Sequence, residues 1–169
     1  MKKSIAVLYF LFALAQAGWG EDMKAVQLPQ PRLKGAVSVE EAIQERRSVR
    51  SYSRKDISLE DVSQLLWACQ GITDKRRGLR SSPSAGALYP LEVYVAKSDG
   101  LFHYLSESHS LEVILDKDVR KELADAAHDQ NYAADAAIDI IIAAVSGRIT
   151  SKYGDRGIRY TALEAGHSA

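Results

Sequence analysis

The 169-residue chain has little of what staples small proteins together: one cysteine, Cys69, four prolines, and no excess of either charge. A single thiol excludes an internal disulfide framework and a cysteine-cluster metal site. Lys+Arg and Asp+Glu both total 22, so no overall basic field draws in nucleic acid. The N-terminal apolar run, Ile5 to Ala15, falls short of the ~20 residues that a membrane-spanning helix needs. Internal repeats and low-complexity tracts are missing, which excludes solenoids and arrays. His103, His109 and His128 lack metal-ligand spacing.

What is present begins with a three-part export pattern. Lys2 and Lys3 give a basic start, Ile5 to Ala15 the apolar stretch, and Ala15-Gln16-Ala17 a small-x-small cleavage site. Residues 1–17 are therefore expected to be a signal peptide, and the mature protein to be periplasmic or secreted with no stable membrane span. Residues 18–37 hold Pro29, Pro31 and no clean period, and read as an extended arm. Residues 38–169 are long enough for one domain with its own core.

Within that domain, Ser38-Val39-Glu40-Glu41 is a capping-box pattern that opens a helix ending near Arg46 or Arg47. Ser58-Leu59-Glu60-Asp61 opens a second in the same way. Its stripe is Leu59, Val62, Leu65, Leu66 and Cys69, and Gly71 is its expected stop. Residues 72–90 read as loop. Beyond Pro90 the period becomes two: Leu91, Val93 and Val95 alternate with Glu92, Tyr94 and Ala96 as a half-buried strand. Ser98-Asp99-Gly100 turns it into a partner over Leu101 to Leu105, and Leu111 to Leu115 is a candidate third strand. Asp118 to Ala127 reads as a helix. Ile138 to Val145 is nearly all apolar and suits a central strand buried on both faces. A last helix runs from Arg159, with Tyr160, Leu163, Glu164 and His167 on one face. Interspersed helices and antiparallel strands place the domain in the α+β class.

Three stretches carry candidate chemistry. Arg46-Arg47-Ser48-Val49-Arg50 brings three guanidiniums and a hydroxyl within reach of one phosphate, which guanidinium forks match bidentately. Taken by itself, the same cluster reads first as a solvated basic helix end that complements the helix dipole. Pro83-Ser84-Ala85-Gly86-Ala87-Leu88-Tyr89-Pro90 is built of small residues that let main chain approach a flat ligand, or it is a plain turn before a strand. Ser84 lacks the Gly-x-Ser-x-Gly setting of a nucleophile and has no evident base. Glu164 and His167 are two metal-competent residues without a third, so structural roles are favoured.

In this order, the stretches resemble the nitroreductase family. Arg46-Arg47-Ser48-Val49-Arg50-Ser51-Tyr52 resembles its opening Arg-Arg-Ser-x-Arg motif. Pro83 to Pro90, leading into Leu91-Glu92-Val93-Tyr94-Val95, resembles the second flavin segment of the SagB-type dehydrogenase branch. Tyr153-Gly154 and Arg159-Tyr160-Thr161-Ala162-Leu163-Glu164-Ala165-Gly166-His167 resemble that branch's later helix motif.

The resemblance implies a three-layer fold with a central, mainly antiparallel sheet flanked by helices. It implies FMN bound without a covalent bond at the interface of an intertwined homodimer. Arg46, Ser48 and Arg50, with Arg47 nearby, would hold the phosphate and ribityl end. Pro83, Ser84, Ala85, Gly86 and Leu88 would line the isoalloxazine. The flavin would carry two electrons to or from a small organic or peptide substrate, with no protein nucleophile and no metal. The motif helix reaches Ala169, so the fold is expected to be incomplete at its C-terminus. Two alternatives stand beside the enzyme: an exported, non-catalytic protein binding flavin or another phosphorylated ligand, and a small interaction domain without cofactor.

Overall fold

Alternating apolar residues build the centre of the molecule. The computed structural model describes residues 25–53, 55–128 and 130–169; the signal-like segment 1–17 and the start of the arm lie outside the described residues. Strand β4 (Leu91–Lys97) turns Leu91, Val93 and Val95 inward. A turn at Ser98 and Asp99 returns the chain as β5 (Gly100–Leu105), with Val95 opposite Phe102. Strand β6 (Ser110–Leu115) pairs with β5, and β1 (Ala25–Gln27) with β6. Strand β7 (Asp139–Ala144) pairs with the other side of β4. The order is β1-β6-β5-β4-β7, every pair antiparallel.

One face of the sheet is closed by α2 (Leu59–Gln70), whose Val62, Leu66 and Cys69 pack on Val93, Val95, Phe102, Tyr104 and Leu111. Each such aliphatic side chain, fully buried, contributes about 1.5–3 kcal/mol. Ser58 caps the helix by accepting the Asp61 N–H. The sequence stripe placed Leu59 and Leu65 in the core, but both remain partly exposed because the buried face is narrower and includes Ser63. Gly71 ends the helix with φ −68°, not in a left-handed turn. A Cβ there would lie 2.2 Å from Trp67 Cδ1, so the glycine answers close packing rather than backbone freedom.

The arm is fastened at its root. Leu28 is buried, and its N–H donates to the His109 carbonyl. The Pro29 carbonyl accepts from Ser63 Oγ at 2.6 Å and lies 3.0 Å from His109 Nε2. Beyond it, α1 (Val39–Glu45) has the expected capping box between Ser38 and Glu41. This helix buries nothing: Val39 and Ile43 are 71% and 72% exposed.

Residues 72–90 are more ordered than a loop, holding the hairpin β2 (Ile72–Asp74) and β3 (Leu79–Arg80) and a 3-10 turn at Ala85–Ala87. The 138–145 run is a strand, but not a central one: among the described residues β7 is an edge. Its Ile140 and Ile142 reach the core on one face only, and Ala143 and Ala144 are exposed. Helices α3 (Arg120–Ala126) and α4 (Asn131–Asp135) precede it. The polar stretch after it forms α5 (Gly147–Tyr153), which the sequence did not announce, and α6 (Arg156–Ser168) starts a turn earlier than expected.

Candidate functional site

The Pro83–Pro90 stretch is a strained and heavily restrained loop. Gly86 (φ 65°), Ala87 (φ 54°) and Tyr89 (φ 44°) all have left-handed backbone, which costs a non-glycine residue about 1–2 kcal/mol. That strain is offset by contacts from three elements. Ser84 Oγ accepts the Tyr89 N–H at 2.9 Å. Glu164, buried on α6, accepts the Ala85 N–H at 2.8 Å. Arg80 holds Tyr89 twice: its N–H donates to the Tyr89 hydroxyl, and its guanidinium lies 4.7 Å from the ring centroid.

Helix α5 grips the loop from the other side. Arg148 donates to the Tyr89 carbonyl at 3.1 Å and pairs with Glu92 on β4. Lys152 and Tyr153 stand over Gly86, where a Cβ would meet Tyr153 Oη at 2.7 Å and Lys152 Nζ at 3.0 Å. Tyr153 is in turn braced edge-on by Tyr160 of α6. Beside the loop, a cleft of about 590 Å³ opens where β4 and β5 part beyond Tyr94 and His103, lined by Arg80, Leu88, Tyr89 and Arg148.

In the wall of the cleft, His103 lies between two carboxylates, 2.8 Å from Glu92 Oε2 and 3.4 Å from Glu112 Oε2, and stacks on Tyr94. Burial pulls the His103 imidazolium down, but the bonds and charges of Glu92 and Glu112 outweigh it and raise its pKa. Burial raises Glu92, but His103 and Arg148 together lower it by more, so its carboxyl lies below the ordinary glutamate value.

The arginine cluster belongs to a different segment of the chain. Arg46, Arg47, Ser48 and Arg50 follow α1 on an exposed segment outside any helix or strand. Arg47 donates to the Gln44 and Arg46 carbonyls, and the Arg50 guanidinium lies 5.6 Å from the Tyr132 ring centroid. Among the described residues no carboxylate pairs with any of the three arginines. Nor does any hydrogen bond join the cluster to the loop. The described residues contain no cluster of three metal-competent side chains.

The sequence profile of the nitroreductase family matches residues 43–169. The chain belongs to the nitroreductase family. A nitroreductase-family protein of Methanocaldococcus jannaschii is 44% identical over 154 residues, covering 88% of this chain and 76% of that protein. The crystal structure of a nitroreductase-family protein from Ralstonia eutropha superposes with TM-score 0.74 at 25% identity, over 89% of this chain and 70% of that one. One from Anabaena variabilis gives 0.63 at 27% identity, over 89% of this chain and 30% of that one. The Escherichia coli microcin synthetase complex shares the fold, at TM-score 0.56 and 16% identity, over 99% of this chain and 76% of that one. The fold is thus the nitroreductase α+β fold around a central antiparallel sheet.

Nitroreductase-family proteins generally use FMN. The residues present fit its two ends separately. Three guanidiniums without carboxylate partners among the described residues, with the Ser48 hydroxyl, suit a phosphate. A loop of small residues pinned in left-handed backbone matches a flat ring. Sequence reasoning did not single out Arg80, Arg148, Lys152 and Glu164 as the residues that hold the second stretch. Only Glu164 left a signal, as a carboxyl on one face of the last helix; it accepts the Ala85 N–H.

Proposed function

We propose that the protein is an FMN-dependent oxidoreductase of the SagB-type dehydrogenase kind, passing two electrons to or from a small organic or peptide substrate. The observation that carries this reading is the pair of half-sites. One is a set of guanidiniums without carboxylate partners among the described residues, at the end of an arm; the other is a loop of small residues pinned by Glu164, Arg80 and Arg148. FMN supplies the redox chemistry when bound, through hydride exchange at its ring. The chain's residues bind and orient. Arg46, Ser48 and Arg50 neutralise the phosphate, while Ser84 to Leu88 offer close main chain to the ring.

The two halves meet in a homodimer on this reading. The exposed apolar faces of α1 (Val39, Ile43) and α6 (Ile158, Leu163) support it, since both need covering. A twofold partner would bring one chain's arm to the other chain's loop. The export pattern at residues 1–17 supports work in the periplasm or outside the cell.

Titration with FMN, followed by flavin fluorescence, tests the reading. The chain turns yellow, and Arg46→Ala with Arg50→Ala weakens binding about 100-fold, two charge-assisted contacts at ~1.5 kcal/mol each. Ile43→Asp yields a monomer by light scattering and loses the flavin with the dimer. A chain that stays colourless with excess FMN refutes the proposal.

A further inference from the structure

Helix α5 meets the loop at two points, and both lie on one of its faces. Arg148 and Lys152 are four residues apart, so their side chains are neighbours along the helix. Arg148 reaches the Tyr89 carbonyl; Lys152, with Tyr153, stands over Gly86. Every handle of Tyr89 is held: the N–H by Ser84, the carbonyl by Arg148, the hydroxyl by the Arg80 N–H, the ring by the Arg80 guanidinium. Tyr89 has left-handed backbone and is followed by Pro90, so it sets how the loop enters β4. Among the described residues, Arg148 is the grip that joins that residue to the central sheet, through Glu92.

We propose that Arg148 is a positioning residue for the ring-facing loop: by bridging the Tyr89 carbonyl and Glu92 it fixes both the left-handed turn and the α5 face that carries Lys152 and Tyr153 over Gly86. The inference rests on the reading of Pro83–Pro90 as the loop that meets the flavin ring. A guanidinium suits the task because its fork serves two acceptors in fixed geometry, whereas an ammonium is a point charge. Glu92 is itself held by His103, so the bridge is anchored to three strands, β4, β5 and, through Glu112, β6. Arg148 is nearly half exposed, so the bridge adds little to global stability and acts locally.

Two readouts test this on the full chain. The first is amide hydrogen exchange without flavin, corrected for intrinsic rate. In Arg148→Gln the Ala87 and Tyr89 amides lose about tenfold protection, the worth of one charge-assisted hydrogen bond. Amides of the β5–β6 ladder are unchanged. The second is FMN affinity and the visible circular dichroism of the bound flavin. Arg148→Gln weakens FMN about tenfold and alters the flavin band shape, Arg148→Lys recovers part of both, and Glu92→Gln acts in the same direction. The melting temperature stays within about 2 °C of the parent, as for a surface pair. Lys121→Ala, on α3, is the control. Equal loop protection and equal FMN affinity in the parent and Arg148→Gln overturn the proposal. A parent chain that binds no FMN defeats the flavin reading instead, and the exchange data then decide the clamp by themselves.

Discussion

Glu164 is the residue whose removal tells most about how the loop is held. It is 6% exposed, lies on α6, and its Oε1 accepts the Ala85 N–H at 2.8 Å across 79 residues of sequence. Glu164→Ala removes the acceptor and leaves the Ala85 N–H unpaired in a half-buried place. The lost hydrogen bond is worth about 0.5–1.5 kcal/mol, and the unpaired donor costs up to about 1–3 kcal/mol where water cannot reach it. Partial access to water at Ala85 puts the sum near 2 kcal/mol, a fall in melting temperature of about 4–8 °C for a domain of this size. Glu164→Gln keeps a carbonyl oxygen at the same place and loses less than about 1 kcal/mol. Differential scanning calorimetry measures the first effect, and exchange of the Ala85 amide measures it locally. If Glu164→Ala melts like the parent and its Ala85 amide stays as protected, the carboxyl does not anchor the loop, and the tie between α6 and the site is wrong.

Other expectations follow from single environments. Asp139 has an Oδ2 without a hydrogen-bond partner, and burial pushes its carboxyl up to about 6. Because the folded value exceeds the ordinary 3.8, this group's contribution is lost as pH rises from about 4 through 6. Asp139→Asn therefore raises the melting temperature at pH 7.5 and not at pH 4; equal effects at both would remove the charge from the explanation. His103 is raised, so its ion pairs stabilise fully below its ordinary 6.5 and fade as pH climbs through the higher folded value. A melting-temperature profile between pH 6 and 9 should flatten in His103→Gln, and a profile identical to the parent's would show that the Glu92 and Glu112 contacts carry no linkage. Gly71→Ala forces a Cβ into the Trp67 ring at 2.2 Å and should cost about 1–3 kcal/mol, with a changed Trp fluorescence spectrum; a parent-like urea midpoint would disprove the close packing.

Much of the frame was legible because its signals are local. Ser38 and Ser58 announce helices through a side chain that caps its own first turn. Leu91, Val93 and Val95 announce β4 by alternation, and the Ser98-Asp99 turn fixes its partner. The 138–145 run was readable as a strand but not as an edge strand, because a near-continuous apolar run does not say how many neighbours it has. Helix α5 was not readable at all: Gly147 to Tyr153 has only Ile149 buried, and it is packing against α6 and the loop that keeps it helical.

The site divides the same way. The residue types that suit a phosphate and a flat ring stand in two contiguous stretches, Arg46 to Arg50 and Pro83 to Pro90, and chemistry of that kind is fixed by composition over a few positions. Whether the two stretches share a site is decided by tertiary and quaternary packing, since a guanidinium's reach is a few ångströms and α1 itself buries no residue. So is the shape of the loop. Three left-handed residues in a row of four are held by Glu164 and Arg148, which arrive from distant parts of the sequence, and by Arg80 from the preceding hairpin, and no local preference would keep Ala87 and Tyr89 in that conformation.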